Sequence, residues 1–294
     1  MQPIKFYVLS LLLVTSCTSD PTAPTEEQPT TQVTINVTDF TTTQEPFPSG
    51  APTRATSVAD YDDLKLLTLV CYSGTTPIYQ CTQNRNDATT YTTFGHFSCT
   101  LPMGTYQLVV IGRTYTTGDS FTLTSATEAA YTSEKVRDTF SATQPLTLST
   151  MAPQNLNLTL TRITSMLRVV TTDNRPTEAT QIRTTYSAGS KGFNPTTGLA
   201  TTNTGFTVVN HPSTAPGNPV AIYSYLYLYS DEQTMDITLE VLDDANHVLY
   251  TKVVPNVTLQ RNRRTKLTGP LYNSLTDTSI QIDTDWLPDN NQDF

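Results

Sequence analysis

Charged side chains, histidine and long apolar runs are scarce in this sequence, and each scarcity argues against a class of function. Asp, Glu, Lys and Arg make up 15% of the 294 residues, and 17 basic against 26 acidic residues give a net charge of −9. Nucleic acid requires basic patches that neutralise its phosphates, so we expect no nucleic-acid partner. The sequence has three histidines and contains neither G-x-S-x-G nor H-E-x-x-H. We therefore expect no enzyme activity.

The sequence offers little for metal binding. Asp243, Asp244 and His247 stand close enough along the chain to share a cation, but hairpin turns favour the same residue types. No two of the four cysteines have C-x-x-C spacing, and no histidine clusters with them. We predict neither a metal nor a non-covalent cofactor.

The N-terminus carries a targeting signal. Lys5 precedes a short apolar run that ends at Val14, which is too short for an ordinary transmembrane helix and predicts a signal peptide over residues 1–16. Val14-Thr15-Ser16-Cys17 resembles a bacterial lipobox, which implies cleavage before Cys17 and covalent lipid on its sulfur. Two or more acyl chains would then hold the protein stably on a membrane. A plain secretory signal with an incidental cysteine is the alternative.

The rest of the chain has a β-strand composition. About a fifth of the residues are threonine, and tyrosine is frequent. Both residue types favour strands, as do Val and Ile. Residues 17–31 are polar and Pro-rich and predict a flexible tether. Strand patterns then recur at spacings typical of sandwiches. Met151-Ala152-Pro153 interrupts them, so we predict an all-β chain with an N-terminal β-sandwich over 32–152 and a C-terminal one over 153–294.

Three local patterns are specific enough to test. Val33, Ile35 and Val37 alternate with polar residues and predict the first strand. The turn before Tyr106 contains Pro and Gly, and the Tyr106 hydroxyl is placed to bond backbone as in a tyrosine corner. The segment from Glu128 to Phe140 fits a short helix or an irregular crossover.

The cysteines and tyrosines leave alternatives open. If Cys17 carries lipid, Cys71, Cys81 and Cys99 remain, an odd number. Cys71 and Cys81 flank a turn that contains glycine, so they either form a disulfide or, with Cys99, serve as small core residues. Four tyrosines alternate between 223 and 229. They either stack on sugar rings or pack against neighbouring strands.

Five motifs occur together and in order: the lipobox, the Leu101–Tyr106 turn, Leu160-Thr161-Arg162-Ile163, the segment 260–269 and a terminal Asp285-Trp286. In this arrangement the chain resembles the fimbrillin superfamily of Bacteroidota, and most of all the fimbrillin-A-associated anchor lipoproteins of type V fimbriae. The resemblance implies two transthyretin-like β-sandwich domains and a lipoprotein anchored on the outer membrane through Cys17. It also implies assembly with other fimbrial subunits by β-strand exchange.

The resemblance also assigns roles to the first strand and the loop after it. In stalk subunits of that superfamily an arginine-specific protease cuts this loop, and a neighbour's strand fills the groove that the lost first strand leaves. Here Arg54 would be the cut site and Val33, Ile35 and Val37 the exchanged strand. Anchor subunits are thought to keep this strand. An ordinary permanent edge strand is the alternative interpretation.

The sequence thus predicts a structural lipoprotein subunit of a cell-surface fimbria, as its outer-membrane anchor or an accessory component. Its expected partners are other fimbrial subunits and the outer membrane. The alternative is a monomeric surface lipoprotein that binds a glycan or another ligand on a host or bacterial surface.

Overall fold

The computed structural model describes residues 28–41, 56–58, 61–87, 93–114, 120–133, 135–272 and 281–283. All the regular secondary structure in these ranges is accounted for by β-strands alone, so the all-β prediction is confirmed. The described ranges contain no helix long and apolar enough to span a membrane. The strands are β1 (Thr30–Thr41), β2 (Thr56–Ser57), β3 (Leu66–Ser73), β4 (Thr76–Asn84), β5 (His96–Pro102), β6 (Gly104–Arg113), β7 (Phe121–Ser125), β8 (Glu128–Tyr131), β9 (Thr139–Leu148), β10 (Gln154–Arg162), β11 (Ser165–Thr171), β12 (Gln181–Tyr186), β13 (Gly192–Phe193), β14 (Phe206–Asn210), β15 (Ala221–Leu226), β16 (Glu232–Leu242), β17 (Val248–Gln260), β18 (Arg264–Gly269) and β19 (Gln281–Asp283).

The N-terminal unit is one eight-stranded sheet that folds back on itself. Its strand order is β2-β1-β10-β9-β6-β3-β4, and β5 pairs with β1. Strands β10 and β9 pair at only two positions, Thr161 with Ser141 and Arg162 with Phe140, so the sheet turns a corner there. We call β5-β1-β10 the front leaf and β9-β6-β3-β4 the back leaf. At the other end, the buried Gln83 of β4 bonds the backbone of Gly95 and His96 beside β5.

The core of this unit lies between the two leaves, and the back leaf has a second apolar face. Leu69 and Cys71 of β3 point into the core between the leaves, whereas Val70 and Tyr72 point into a separate cluster on the far side. Strand β6 divides its side chains in the same way. A strand buried on both faces reads as an unbroken apolar run, as Leu69–Tyr72 does within β3.

The N-terminal unit ends later than the sequence predicted. Strand β10 begins at Gln154, after the predicted boundary at residue 152, yet it pairs in parallel with β1. Its Leu158 and Leu160 are buried in the core between the leaves. The boundary after 152 is therefore too early, because the chain break at Met151-Ala152-Pro153 is a turn within the unit.

The C-terminal part consists of two four-stranded sheets, β15-β11-β18-β19 and β14-β12-β16-β17, with a core between them. As in the N-terminal unit, the first strand pairs in parallel with a late one, here β11 with β18. Strands β16 and β17 pair along most of their length and form a hairpin across residues 243–247. Asp243 accepts backbone N–H groups of Ala245 and His247 in its turn.

A small third sheet, β13-β8-β7, joins the two parts of the chain. Ala129 and Ala130 of β8 pair with Phe193 and Gly192 of β13. The prediction of a helix or crossover over 128–140 is wrong for its first four residues, because Glu128–Tyr131 form strand β8. This strand buries Ala129 and Tyr131 in the cluster on the far side of the back leaf, which we call the cluster behind the back leaf.

Candidate functional site

The first strand, β1, occupies an interior position in the front leaf. On one side it pairs in parallel with β10, where Ile35 lies opposite Leu156. On the other side it pairs antiparallel with β5, where Ile35 lies opposite Phe97. Further along, Asp39 and Phe40 pair with β2. The predicted first strand is confirmed, and it lies inside the sheet rather than at its edge, because neighbours hydrogen-bond both of its sides. Exchange of this strand and the alternative of a permanent strand both stay predictions.

The inner face of β1 forms part of the core. Val33 and Ile35 are 0% exposed and Val37 is 2% exposed. Burying a side chain of this size stabilises the fold by about 1.5–3 kcal/mol relative to leaving it in water. Removing β1 would therefore open an apolar groove between β5 and β10 whose walls carry unpaired backbone N–H and C=O groups.

The outer face of β1 is polar and bonded across the leaf. The amide of Asn36 bonds His96 of β5 at 2.7 Å and Asn157 of β10 at 3.2 Å, so one side chain links three strands. At the end of β5, Gly95 has a φ of +94°, and a Cβ there would lie 2.6 Å from the Val37 carbonyl oxygen. The backbone of β1 can approach this closely only because position 95 is glycine.

Two residues of the predicted site lie outside the described residues: Cys17, the predicted lipid attachment point, and Arg54, the predicted cut site. Arg54 belongs to the segment that connects β1 to β2. Because β1 is the first strand of the described chain, a single cut in that segment would leave it attached by hydrogen bonds and packing alone.

The three described cysteines are free thiols. Cys81 faces Leu69 across the β3–β4 pair, and Cys71 faces Tyr79, so Cys71 and Cys81 occupy diagonal positions. The structure therefore does not contain the Cys71–Cys81 disulfide that the sequence suggested. The neighbour of the Cys71 thiol is Cys99 on the opposite leaf.

The tyrosine row is exposed at both ends and buried at Tyr227. Tyr223 is 50% exposed and meets Tyr225 edge to face at 5.9 Å between ring centroids. Burial raises the pKa of Tyr225 well above its ordinary value, and it does the same for Tyr227. Tyr227 packs on Phe193 in the cluster behind the back leaf. Tyr229, the last member of the row, is 56% exposed. Tyr223 and Tyr229 are therefore the members of the row most open to a ligand.

A buried polar network at the junction of the two parts was not predicted from the sequence. The Arg162 Nε donates to both oxygens of Asp138 at 3.1 Å, and the Thr164 hydroxyl donates to the same carboxylate at 2.7 Å. All three residues are at most 5% exposed. Arg162 also lies 4.8 Å from the centre of the Phe140 ring. Alternation in β10 predicts the direction of Arg162, but nothing in the local sequence identifies its partner.

Within the described ranges, no group of three His, Cys, Asp or Glu side chains is placed to hold a metal ion. Asp243 and His247 bond each other at the hairpin tip, with 3.0 Å between Oδ2 and Nδ1. The Asp243 carboxylate is thus occupied by this contact and by the backbone N–H groups of the turn, which it closes.

The sequence and the fold were compared with those of known proteins. The profile of a family described as a family of unknown function (DUF6562) matches residues 25–293. A proposed adhesin from Bacteroides ovatus superposes with a TM-score of 0.52 at 9% identity, over 89% of this chain and 96% of that one. The fimbrial anchor protein Mfa2 from Porphyromonas gingivalis gives 0.51 at 11% identity, over 87% and 97%.

A proposed polysaccharide-binding protein (DUF1812) from Bacteroides thetaiotaomicron also superposes, with a TM-score of 0.51 at 9% identity over 89% of this chain and all of that one. At these identities the similarity establishes a shared fold. No curated protein matches the sequence.

Proposed function

We propose that this chain, which belongs to the DUF6562 family of unknown function, is a structural subunit of a cell-surface fimbria. In this proposal it is a lipoprotein carried on Cys17 at the outer membrane, and it serves as the anchor or as an accessory subunit. Its fold is shared with the fimbrial anchor protein Mfa2 and with a proposed adhesin, both of nearly the same length. These similarities support the proposal.

The observation that carries the proposal is the position of β1. An interior strand contributes two rows of backbone hydrogen bonds and one face of the core, so its place can be filled only by another strand of the same pattern. Because β1 comes first along the described chain, a cut at Arg54 would separate it without breaking any other strand. We infer that this place in the front leaf is where subunits exchange strands.

The fate of β1 distinguishes an anchor from a polymerising subunit. If Arg54 stays intact, β1 fills its own groove and the subunit ends the polymer at the membrane. If Arg54 is cut, the groove is free for a strand from a neighbour, and the lipid on Cys17 is lost with the N-terminal fragment.

The test is intact-mass and N-terminal analysis of the native chain from washed outer membranes, together with sedimentation of sheared fimbriae. An anchor is expected to start at an acylated Cys17, to retain Val33, Ile35 and Val37, and to sediment with fimbriae. A chain that begins at Ala55 would refute the anchor role and assign the protein to the stalk or tip. Absence from the fimbrial fraction would refute both.

Binding of a glycan by a monomeric surface lipoprotein is a second candidate. It is favoured by the exposed Tyr223 ring beside Tyr225, which offers a flat apolar surface to a sugar. The shared fold of a proposed polysaccharide-binding protein supports it. Saturable sugar binding that Tyr223→Ala abolishes would support this role, whereas a control such as Tyr229→Ala, also on the surface, should leave binding unchanged.

A further inference from the structure

Two buried thiols face each other across the N-terminal core. Cys71 lies on β3 in the back leaf and is 0% exposed, and Cys99 lies on β5 in the front leaf and is 6% exposed. Both point into the core between the leaves, close enough for a hydrogen bond between their sulfurs. The two strands are not neighbours in the sheet, so no backbone ladder joins them at this point.

We propose that Cys71 and Cys99 form a disulfide that joins the two leaves of the N-terminal unit. The S–S bond forms as both thiols lose their protons and together give up two electrons. A disulfide-bearing oxidant of the cell envelope accepts these electrons and two protons by thiol–disulfide exchange and becomes a dithiol. The disulfide proposal rests on the proposed function in one respect, because export brings the chain into an oxidising compartment.

Cys81, the third thiol, is a poorer candidate for a disulfide with Cys71. Cys81 lies on β4, the last strand of the back leaf, and is only partly buried. Its pair partner on β3 is Leu69. Cys71 and Cys81 belong to adjacent strands of one leaf at diagonal positions, where a disulfide has poor geometry. Inter-sheet disulfides, by contrast, are an established feature of β-sandwiches.

The disulfide forms while the chain folds. A hydrogen bond to Cys99 and burial both raise the pKa of the Cys71 thiol, and protonated buried thiols are poor nucleophiles. After the sandwich has closed, both oxidation of the thiols and reduction of the disulfide are expected to be slow. We therefore expect the oxidised form to be retained once it has been made.

The consequence concerns the groove of β1. Cys99 pairs with Val33, the first buried apolar residue of β1. A Cys71–Cys99 bond would hold β5 against β3 when β1 is absent, and so would keep one wall of the groove in place for an incoming strand. The bond is thus expected to matter most in the form of the protein that lacks β1.

Peptide mapping of the native chain tests the bond directly. Trypsin cuts after Lys65, Arg85 and Arg113, so Cys71 and Cys81 share the peptide 66–85 and Cys99 lies in 86–113. The envelope protein is alkylated, denatured with more alkylating reagent, and digested without reductant. We expect 66–85 linked to 86–113 with one alkylated cysteine, and the link should persist in Cys81→Ala and disappear in Cys71→Ala.

Three results would overturn the proposal: full alkylation of all three cysteines, a loop closed within 66–85 by Cys71 and Cys81, or a link to 86–113 made through Cys81. The fimbrial role fails separately, if the chain in the same envelope preparation carries the link but does not sediment with fimbriae. Fragmentation of the linked wild-type peptides locates the alkylated cysteine at position 71 or 81, so the assignment does not depend on whether a variant folds.

A stability measurement gives a second readout. Cys71 and Cys99 enclose a loop of about 28 residues, for which chain entropy predicts that the bond lowers the equilibrium constant for unfolding by about 400-fold. Reductant should therefore shift the denaturant midpoint of the full wild-type chain and of Cys81→Ala downward. The same reductant should leave Cys99→Ala unchanged. Equal midpoints for wild type with and without reductant would count against the bond.

Discussion

Replacement of Ile35 by alanine tests whether β1 is integral to the N-terminal core. Ile35 is fully buried at the middle of β1, between Leu156 on one flanking strand and Phe97 on the other. Both flanking strands are hydrogen-bonded to the backbone of β1, which the substitution leaves in place, so the walls around a missing side chain are held apart. The substitution is thus expected to lower the free energy of unfolding both by the lost burial of the side chain and by most of the penalty for the cavity left behind.

The magnitude follows from the atoms removed. Ile→Ala deletes three carbons, and about 0.8 kcal/mol for each gives about 2.4 kcal/mol of lost transfer free energy. A residual cavity in a site that cannot collapse brings the total to about 3–4 kcal/mol. With a urea m-value of about 3 kcal/mol/M, the unfolding midpoint of the N-terminal core should fall by about 1 M.

The assay is urea unfolding followed by far-ultraviolet circular dichroism, with Thr34→Ala as the matched control. Thr34 is the neighbouring residue on the outer face of the same strand, and its replacement should cost less than about 1 kcal/mol. If both variants shift the midpoint equally, β1 does not complete the core, and the argument for an exchange groove fails with it.

Three further substitutions have defined outcomes. Tyr106→Phe removes the 2.8 Å bond from its hydroxyl to the carbonyl of the preceding turn and should lower the unfolding free energy by about 1 kcal/mol, measured by urea unfolding. Asp138→Asn leaves the buried Arg162 without its carboxylate and should cost about 3–5 kcal/mol by the same assay; a loss below 1 kcal/mol would show that the pair is dispensable. The backbone N–H of His247 lowers the pKa of the exposed Asp243 carboxyl. Its contribution to stability is therefore complete above the ordinary pKa and is lost as pH falls through the lower folded value. Asp243→Asn should remove this acid-range slope, and NMR titration of the wild-type carboxyl should find an apparent pKa below the usual one.

Local patterns predicted the parts of the fold that depend on neighbouring residues. Alternation of Val33, Ile35 and Val37 predicted both the strand and its buried face. The Pro-Gly turn predicted the tyrosine corner, and the Tyr106 hydroxyl does bond the Pro102 carbonyl. In each case one short segment contains all the information that the prediction used.

The failures concern partners that are distant in sequence. Nothing within β1 indicates that it lies between β5 and β10, since both flanking strands come much later in the chain. The same limit explains the boundary placed after residue 152, where a turn before Gln154 looked like a domain end. It also explains the cysteines, because Cys71 and Cys81 are close in sequence whereas Cys71 and Cys99 are close only across the sandwich.

The parallel pairing of β1 with β10 has a mechanical consequence. The chain enters the N-terminal unit along β1 and leaves it along β10, and the two strands run in the same direction through eight registered pairs. Tension between the N-terminal attachment point and the C-terminal part of the chain therefore pulls the strands lengthwise past each other. Their hydrogen bonds are loaded together in shear, whereas an antiparallel pair pulled from its open end would unzip one bond at a time. If a subunit is tethered at its N-terminus, drag on a fibre would thus load the β1–β10 hydrogen bonds in shear, the direction in which they resist force best.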